Sequence, residues 1–333
     1  MKVLFDHNHP FFLAHGGFQT QIEQTKLALE QTGVEVEWVR WWDDTQRGDL
    51  IHFFGRPSHG YLEFAHAKGL KVIVAELLTG LGSRGAFARR VQSAVIRTLR
   101  RSFFFDRMGW RSYELADAAV ALTPWEAQLM SEVFGAPPGR VHVVPNGVEE
   151  VFLRTPPAPE RGRWLVCAAT IAPRKRVVEL TAAAVRAGTP LWVLGVPYSD
   201  DDPYGREFRE LAAAHPEMIR YDGGIQDRAR LAGIYAEARG FVLLSTMESL
   251  SLSALEAAAC GCPLLLSELP WARTTFGANA RYCPIADATT TAPVLRAFYG
   301  AAPSLPPPPR PANWPEVAAR LRKVYAATLA AKK

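Results

Sequence analysis

Two glutamates, Glu248 and Glu256, stand on either side of a Ser/Leu stretch at residues 249–252. The apolar run 241–245 reads as a strand and residues 253–260 as a helix, which places the stretch at the carboxyl edge of a sheet, where open α/β sheets bind ligands. The first amides of a helix have no intrahelical acceptor, and the helix dipole is positive there. Residues 249–252 therefore predict a site for an anion such as a phosphate.

The two carboxylates have different expected surroundings. Glu248 precedes the helix and can face a ligand, whereas Glu256 lies inside the helix and can accept hydrogen bonds from ligand hydroxyl groups. Ser253 and Glu256 also have the spacing of a capping box, in which the glutamate only satisfies a backbone donor. The spacing alone leaves both interpretations of Glu256 open.

The pattern of this segment resembles the E-x7-E motif of retaining glycosyltransferases of family 4, which have the two-domain GT-B fold. Its continuation, Glu256-Ala-Ala-Ala-Cys-Gly-Cys-Pro263, is similar to the E-A-x-A-x-G-x-P pattern of that family. The resemblance implies that Glu248 contacts sugar hydroxyls and that Glu256 contacts the nucleotide ribose. It also implies that the diphosphate lies on the backbone amides of Leu250, Ser251 and Leu252.

A basic turn follows the first predicted strand of the second half. Where the family has a Gly-Arg pair and then a lysine, this chain has Ala169, Thr170 and Lys175, with Arg174 beside the lysine. The resemblance implies that Lys175 binds the diphosphate, and Arg174 can supply the charge that Thr170 lacks. Two cations would neutralise a departing diphosphate, so Glu248, Lys175 and Arg174 form the predicted catalytic set. A solvated basic turn is the alternative interpretation.

A glycine pair, Gly16 and Gly17, follows the first predicted strand and precedes a helix. Glycine lets the backbone approach a ligand closely and adopt a positive φ, although the pair also fits a simple tight turn. The resemblance implies that this pair touches the donor and the acceptor.

The resemblance also suggests weaker site candidates. Gly224 and Ile225 stand where the family packs a loop against the nucleobase. Glu76 occupies the strand end where the family often has a histidine, so it is a tentative acceptor-side residue. His52 also lies near a strand end and is a second tentative acceptor-side residue, but a structural histidine fits it as well.

Apolar strand-like runs alternate with helix-like segments along most of the chain. This alternation predicts an α/β fold with parallel sheets covered on both faces. With the resemblance, it implies two doubly wound, Rossmann-like domains of GT-B type that face an interdomain cleft. We expect an acceptor-side domain at residues 1–146 and a nucleotide-sugar-binding domain at 147–311, with a terminal helix at 312–333 packing back on the first.

Composition narrows the class of protein. The chain has 333 residues, a net charge of +5 and four cysteines, which follow no metal-ligand or disulfide spacing. No apolar run approaches the ~18–20 residues of a membrane span, and no leader pattern opens the sequence, so we expect a cytoplasmic protein.

Arginines are concentrated between Arg84 and Arg111, where eight of them accompany a single acid. If residues 87–102 are helical, apolar and arginine side chains fall on opposite faces. This pattern predicts peripheral contact with an anionic membrane or a phosphorylated lipid at the inner membrane surface. The alternative is a core-facing helix with a solvated outer face. Nucleic acid is not expected as a partner, because no recognised binding module is present.

A competing motif is Gly80-Leu-Gly82-Ser-Arg-Gly85, a literal GxGxxG with Asp106 following at the distance of a dinucleotide site. An NAD-dependent oxidoreductase is therefore the second hypothesis, and a non-catalytic sugar-nucleotide-binding protein is the third. The dehydrogenase would leave the glutamate segment unexplained, so we expect these glycines to form a flexible loop instead.

The expected function is retaining transfer of a sugar from a nucleoside-diphosphate sugar to an acceptor hydroxyl of a glycan, a glycolipid or a small molecule. The resemblance implies an enzyme without a metal or another cofactor, because cations and helix-end amides stabilise the leaving group. The sugar, the base and the acceptor are left open by the sequence.

Overall fold

The computed structural model describes residues 1–9, 16–102 and 108–331. The chain divides into two compact units. The first unit contains Met1–Gly147 and Trp314–Lys333, and the second contains Val148–Asn313. Each unit has one parallel sheet of six strands with helices packed on it.

The first unit is built on strands β1 to β6, in the sheet order β2-β1-β3-β4-β5-β6. The strands are β1 (Lys2–His7), β2 (Glu35–Trp38), β3 (Leu50–Phe54), β4 (Lys71–Ala75), β5 (Ala118–Ala121) and β6 (Val141–Val143). The helices are α1 (Gly17–Gln31), α2 (His59–Ala67), α3 (Thr79–Gly82), α4 (Ala86–Leu99), α5 (Ser112–Leu115) and α6 (Pro124–Glu132). Strands β3 and β5 are buried throughout, as parallel strands covered on both faces must be.

The second unit is built on strands β7 to β12, in the sheet order β12-β11-β10-β7-β8-β9. The strands are β7 (Leu165–Ala168), β8 (Leu191–Leu194), β9 (Ile219–Tyr221), β10 (Gly240–Leu243), β11 (Leu264–Ser267) and β12 (Arg281–Cys283). The helices are α7 (Glu150–Arg154), α8 (Val177–Ala187), α9 (Pro203–Ala214), α10 (Arg228–Glu237), α11 (Leu252–Ala259), α12 (Pro270–Phe276) and α13 (Ala288–Ala301).

The last helix, α14 (Trp314–Ala330), belongs to the first unit and packs on α1. Its spaced apolar side chains, among them Val317 and Leu321, are buried. Tyr325 is fully buried, and its hydroxyl lies 2.6 Å from His52 Nδ1 on β3. A polar contact in the core therefore fixes how α14 lies on the sheet.

The predicted fold class is confirmed, because both sheets are parallel and helices alternate with strands in both units. The prediction missed strand β12 and helix α13. Within the described part of the chain, no helix is long and apolar enough to cross a bilayer.

The predicted flexible glycine loop at residues 80–85 is wrong. Gly80 and Gly82 belong to the single helical turn α3, and a Cβ on Gly82 would lie 3.2 Å from the Trp125 ring. Gly82 is therefore needed for close packing rather than for flexibility. Asp106, the acid of that motif, lies outside the described residues.

Candidate functional site

The candidate site lies where the strand order of the second sheet reverses. Strand β7 lies between β8 and β10. The chain adds β8 and β9 on one side of β7 and then β10, β11 and β12 on the other side. In open α/β sheets, ligands bind at the carboxyl ends of the strands at such a reversal. The loops that follow β7 and β10 therefore form the candidate site.

Glycine shapes the carboxyl edge at this point. Ala169 N donates to Leu194 O at 2.9 Å, and Gly195 N donates to Gly223 O at 2.9 Å, so the loops after β7, β8 and β9 lie against each other. Gly195 has a φ of +147°, and a Cβ there would lie 1.9 Å from the Ala169 carbonyl oxygen. Only glycine allows the loops to approach so closely.

The structure brings together the three residues of the predicted catalytic set. Lys175 Nζ donates a hydrogen bond to Glu248 Oε1, and both side chains are nearly buried. Arg174 Nη1 lies 4.0 Å from the same oxygen. Thr246 N donates to Arg174 O at 2.8 Å, which joins the loop after β10 to the basic turn after β7. The turn is thus part of an ion-paired cluster and not only a solvated surface turn.

Helix α11 begins beside this cluster. Ser251 is its N-cap residue, and Ser251 Oγ accepts a hydrogen bond from Ala254 N at 3.3 Å. The capping-box interpretation of Ser253 and Glu256 is therefore wrong, because the N-cap lies two residues earlier. Leu252 is the first helical residue, and amides at this position have no intrahelical acceptor.

Glu256 has another partner. Arg228, the first residue of α10, donates to Glu256 Oε1 and also to Glu149 Oε1 at 2.7 Å. The Arg228 guanidinium lies over the Phe152 ring, 4.7 Å from its centroid. Burial raises the pKa of Glu256 to about 7, although the nearby Arg228 acts to lower it. This helix position therefore holds a buried carboxylate and not a helix cap.

Arg228 was missed by the sequence prediction. Its neighbour Asp227 is an N-cap residue whose side chain accepts from Ala229 N and Arg230 N. An arginine at the start of a predicted helix looks like a surface residue. Only the fold, which brings α10 beside α11, shows that it pairs with Glu256.

The remaining predicted residues of the second unit lie at the same carboxyl edge. Thr170 is half-buried in the loop after β7, and Ile225 is half-buried in the loop after β9. Gly224 is exposed, and a Cβ on it would meet only Val196, at 3.7 Å. These three residues therefore lie in loops at the same edge of the sheet, and their contact with a nucleotide stays a prediction.

The glycine pair of the first unit has a different conformation from the one expected. Gly16 is the N-cap residue of α1 with a φ of −172°, which is ordinary extended backbone, and Gly17 begins the helix. Both are exposed. The positive φ expected for this pair is therefore absent from Gly16 and Gly17. His15, the preceding residue, lies outside the described residues.

Glu76 and His52, the tentative acceptor-side residues, have unlike surroundings. Glu76 follows β4 and accepts two hydrogen bonds from Arg56, at 2.9 and 2.8 Å, and one from the Tyr113 hydroxyl. His52 is fully buried on β3, and burial lowers its pKa to about 3. The structure thus favours a structural histidine at position 52, whereas Glu76 lies at the carboxyl edge of the first sheet.

Two domain families match separate parts of the chain. Residues 35–147 match the model described as glycosyl transferase 4-like domain. Residues 163–297 match the model described as glycosyl transferases group 1. The first match lies in the first unit, and the second contains the clusters around Glu248 and Glu256.

Similar proteins are found among both curated sequences and solved structures. A D-inositol 3-phosphate glycosyltransferase from Xylanimonas cellulosilytica is 30% identical in an alignment 183 residues long, which covers 48% of this chain and 42% of that protein. The chain thus spans less than half of the length of this curated relative. Sucrose-phosphate synthase from Thermosynechococcus elongatus is 18% identical with a TM-score of 0.69, and HepE from Anabaena with UDP and glucose is 14% identical with a TM-score of 0.64. Both structural comparisons cover 100% of each chain.

The two parallel six-stranded units and these structural similarities define the GT-B fold. Within that fold, both domain-family matches are to glycosyltransferases. The chain therefore has the GT-B fold, and its residues 35–147 and 163–297 resemble glycosyltransferase domains.

Proposed function

We propose that the protein is a retaining glycosyltransferase, related to family 4, that moves a sugar from a nucleoside-diphosphate sugar to an acceptor hydroxyl. One observation carries this proposal. The start of α11 is flanked by two carboxylates, and each is held by a cation: Glu248 by Lys175, and Glu256 by Arg228. Both carboxylates can accept hydrogen bonds from ligand hydroxyl groups, and the backbone amides at the start of α11 between them can bind an anion.

The donor would bind the second unit along this segment. The amides of Leu250, Ser251 and Leu252 would hold the diphosphate, and Lys175 with Arg174 would add positive charge. Glu256 would accept hydrogen bonds from the ribose and Glu248 from the transferred sugar. Thr170, Gly224 and Ile225 line the same edge and would contact the diphosphate and the base.

The chemical step needs stabilisation of the leaving group above all. Lys175 and Arg174 bring two positive charges against the single charge of Glu248, so the cluster has a net charge that favours a diphosphate. In the proposed front-face reaction, the departing phosphate takes the proton of the acceptor hydroxyl, and the sugar bond forms on the side from which the diphosphate leaves. The protein then needs no nucleophile of its own, and its cations and amides act where charge develops.

The proposal includes no metal. Within the described residues, no group of three or more His, Cys, Asp or Glu side chains could hold a metal ion. This part of the proposal is tested by measuring turnover with and without a chelator. Metal-independent transfer predicts equal rates under the two conditions.

A thermal-shift panel of UDP-, GDP- and ADP-sugars, with NAD and NADP alongside, tests the function. UDP-sugars come first because HepE was solved with UDP and glucose. Stabilisation by one sugar nucleotide is expected, since a ligand that binds only the folded state raises the melting temperature. Stabilisation by NAD alone would replace the proposal with the dehydrogenase hypothesis. The GxGxxG match offers that hypothesis little support, because two of its glycines form the short helix α3.

The basic segment supports a location at a cytoplasmic, anionic membrane surface. On α4 the apolar side chains Phe87, Val91 and Val95 are 81%, 48% and 42% exposed. The interpretation as a core-facing helix therefore does not fit, since Ile96 is the buried residue of α4. Arg90 and other arginines of this helix are exposed beside the apolar row. Exposed apolar side chains flanked by arginines suit an anionic lipid surface. Residues 103–107, which belong to this basic segment, lie outside the described residues.

A further inference from the structure

An exposed aromatic surface lies at the carboxyl edge of the first sheet, outside the cluster described above. Trp41 and Trp42, in the loop after β2, are 71% and 82% exposed. Phe64, on α2, is 76% exposed, and Tyr61 lies one helical turn before it. Large aromatic side chains displayed to solvent together are rare away from binding surfaces. We call Trp41, Trp42, Tyr61 and Phe64 the aromatic surface.

The loop that carries the two tryptophans is held by a network of polar contacts. Arg40 N donates to Gln46 Oε1 at 2.8 Å, and Gln46 Nε2 donates to Trp38 O at 2.9 Å. Arg40 Nε also donates to Asp43 Oδ2 at 2.9 Å, which closes the loop on both sides of Trp41 and Trp42. These contacts hold the loop on both sides of the two tryptophans, which lowers the entropy cost of ordering it on binding.

A buried carboxylate positions the next ring of the surface. The Tyr61 hydroxyl donates to Asp6 Oδ2 at 2.7 Å, and Asp6, near the end of β1, is buried. The Tyr61 ring packs edge-on against Phe53, 5.1 Å between centroids. The Trp41 ring lies 6.0 Å from the Tyr61 ring at an interplanar angle of 54°. Two tilted ring faces thus form a shallow corner that is open to solvent.

We propose that the aromatic surface binds a saccharide, and that this saccharide is the acceptor of the transfer reaction. This inference rests on the proposed function for its second part only. The C–H faces of a pyranose ring are weakly positive and pack on the negative faces of aromatic rings. Ligand sites combine aromatic side chains with a few polar groups that fix the orientation of the ligand, and saccharide hydroxyls need hydrogen-bond acceptors of this kind. Asp44, two residues after Trp42, is exposed and can supply such an acceptor.

The charge of the tryptophan loop favours a saccharide over a lipid surface as its ligand. Residues 37–49 contain four acids and two arginines, so this loop would be repelled by an anionic bilayer. The basic helix α4 has the opposite charge. A neutral, hydroxyl-rich ligand fits the aromatic surface better than an anionic membrane does.

The test uses saccharide probes rather than the unidentified acceptor. Binding of methyl α-glucopyranoside, methyl β-galactopyranoside, maltotriose and chitotriose is measured by saturation-transfer NMR and tryptophan fluorescence. We expect at least one probe to bind. Trp41→Ala should weaken the affinity for that probe by about 10-fold or more, and Trp41→Phe should retain most of the affinity. Phe87→Ala, which removes an equally exposed ring on α4, is the matched control and should bind normally.

A donor measurement separates this inference from the proposed function. UDP-glucose binding should be the same in Trp41→Ala as in the unmodified protein. If every probe fails to bind, or binds Trp41→Ala as tightly as the unmodified protein, the saccharide surface is refuted even if UDP-glucose binds. If saccharides bind and no sugar nucleotide does, the surface stands and the transferase proposal falls. Binding of phosphatidylcholine vesicles that Trp41→Ala abolishes would instead assign the surface to lipid.

Discussion

At the scale of single residues, the candidate site pairs each carboxylate with a cation. Lys175 is bonded to Glu248, so its charge is partly neutralised where a diphosphate would bind. Arg228 is bonded to Glu256 and Glu149 and remains close to both. Removal of Glu248 and removal of Glu256 should therefore have different effects on binding and on turnover.

Glu248→Gln should lower kcat by about 10²-fold or more, a loss typical of removing one group that acts in the transition state. Binding of UDP should be unchanged or tighter, because Lys175 is freed from its carboxylate partner. Steady-state kinetics and calorimetric titration measure the two effects. Unchanged turnover would remove Glu248 from the reaction, and a large loss of UDP affinity would contradict its assignment to the sugar.

The affinity for UDP-glucose should depend on pH through Glu256. Because burial raises the pKa of Glu256 to about 7, the carboxyl is mostly protonated at pH 6 and mostly ionised at pH 8. An ionised carboxylate accepts two ribose hydroxyl bonds more strongly, so binding should tighten about tenfold from pH 6 to pH 8. UDP-glucose suits the titration because its diphosphate is a diester without an ionisation in this range.

Glu256→Gln is the control for this pH effect, and it should bind weakly and equally at both pH values. Three neighbouring groups, Arg228, Glu149 and Tyr235, face this carboxyl from α10 and the segment before α7. An equal pH dependence in the Gln variant would assign the titration to another group and remove Glu256 from the ribose site.

At the scale of elements, the site depends on loops that lie in contact at the strand ends. Gly195→Ala should destabilise the protein by about 2 kcal/mol or more, because a Cβ would meet the Ala169 carbonyl at a positive φ. Gly233→Ala is the matched control inside α10, where no atom lies within 4 Å of the new Cβ. That variant should be neutral or more stable by about 0.5–1 kcal/mol. Urea unfolding compares the two, and equal free energies would show that the loops can separate without cost.

Helix α14 provides a second prediction at this scale. Tyr325→Phe leaves the buried His52 Nδ1 without its partner and should lower the free energy of unfolding by about 1–3 kcal/mol. Because burial lowers the pKa of His52 to about 3, the folded protein binds fewer protons than the unfolded chain between pH 3 and 6.5. Stability contributed by neutral His52 is therefore complete above pH 6.5 and is lost as pH falls.

Urea unfolding of Tyr325→Phe at pH 7 and pH 5, beside the partly exposed control Tyr299→Phe, measures these effects. An unfolding free energy equal to that of the control would mean that the hydroxyl contributes nothing to the docking of α14.

The sequence predicted elements well where one apolar run determines the structure. Residues 241–245 were predicted as a strand and 253–260 as a helix, within two residues of the observed bounds of β10 and α11, because a continuous apolar strand or a helix-spaced apolar face leaves few alternatives. Strand β12 was missed because it has three residues and begins at the exposed Arg281. Short edge strands are stabilised by pairing and not by their own pattern.

The site was predictable as a motif but not as a set of contacts. The resemblance placed Glu248 and Lys175 in one site, and the structure brings them together across 73 positions of sequence. It could not supply Arg228, because the pairing with Glu256 depends on how α10 packs beside α11. His52 was ambiguous for the same reason, since its partner lies 273 positions away.

At the scale of the whole molecule, charge is distributed unevenly. The net charge is +5, yet eight arginines and one acid lie between Arg84 and Arg111. A basic surface on one unit can orient a protein at an anionic membrane without any membrane-spanning element.

Binding to vesicles tests this distribution. The triple variant Arg84→Gln, Arg90→Gln, Arg97→Gln should bind phosphatidylglycerol-containing vesicles about 100-fold more weakly, at ~1 kcal/mol for each basic side chain. Arg320→Gln with Arg322→Gln, on the exposed side of α14, is the control and should have little effect. Sedimentation with vesicles of phosphatidylcholine alone should recover little protein. Equal sedimentation of all variants would leave these arginines as ordinary surface residues.

The central claim is that the start of α11 holds a diphosphate between Glu248 and Glu256. A crystal structure of the protein with UDP and a non-transferable UDP-sugar analogue tests it most directly. The account predicts the diphosphate within hydrogen-bond distance of the amides of Leu250–Leu252 and of Lys175 Nζ, with the ribose hydroxyls on Glu256. A nucleotide bound elsewhere, or bound here with both carboxylates turned away from it, would contradict the account.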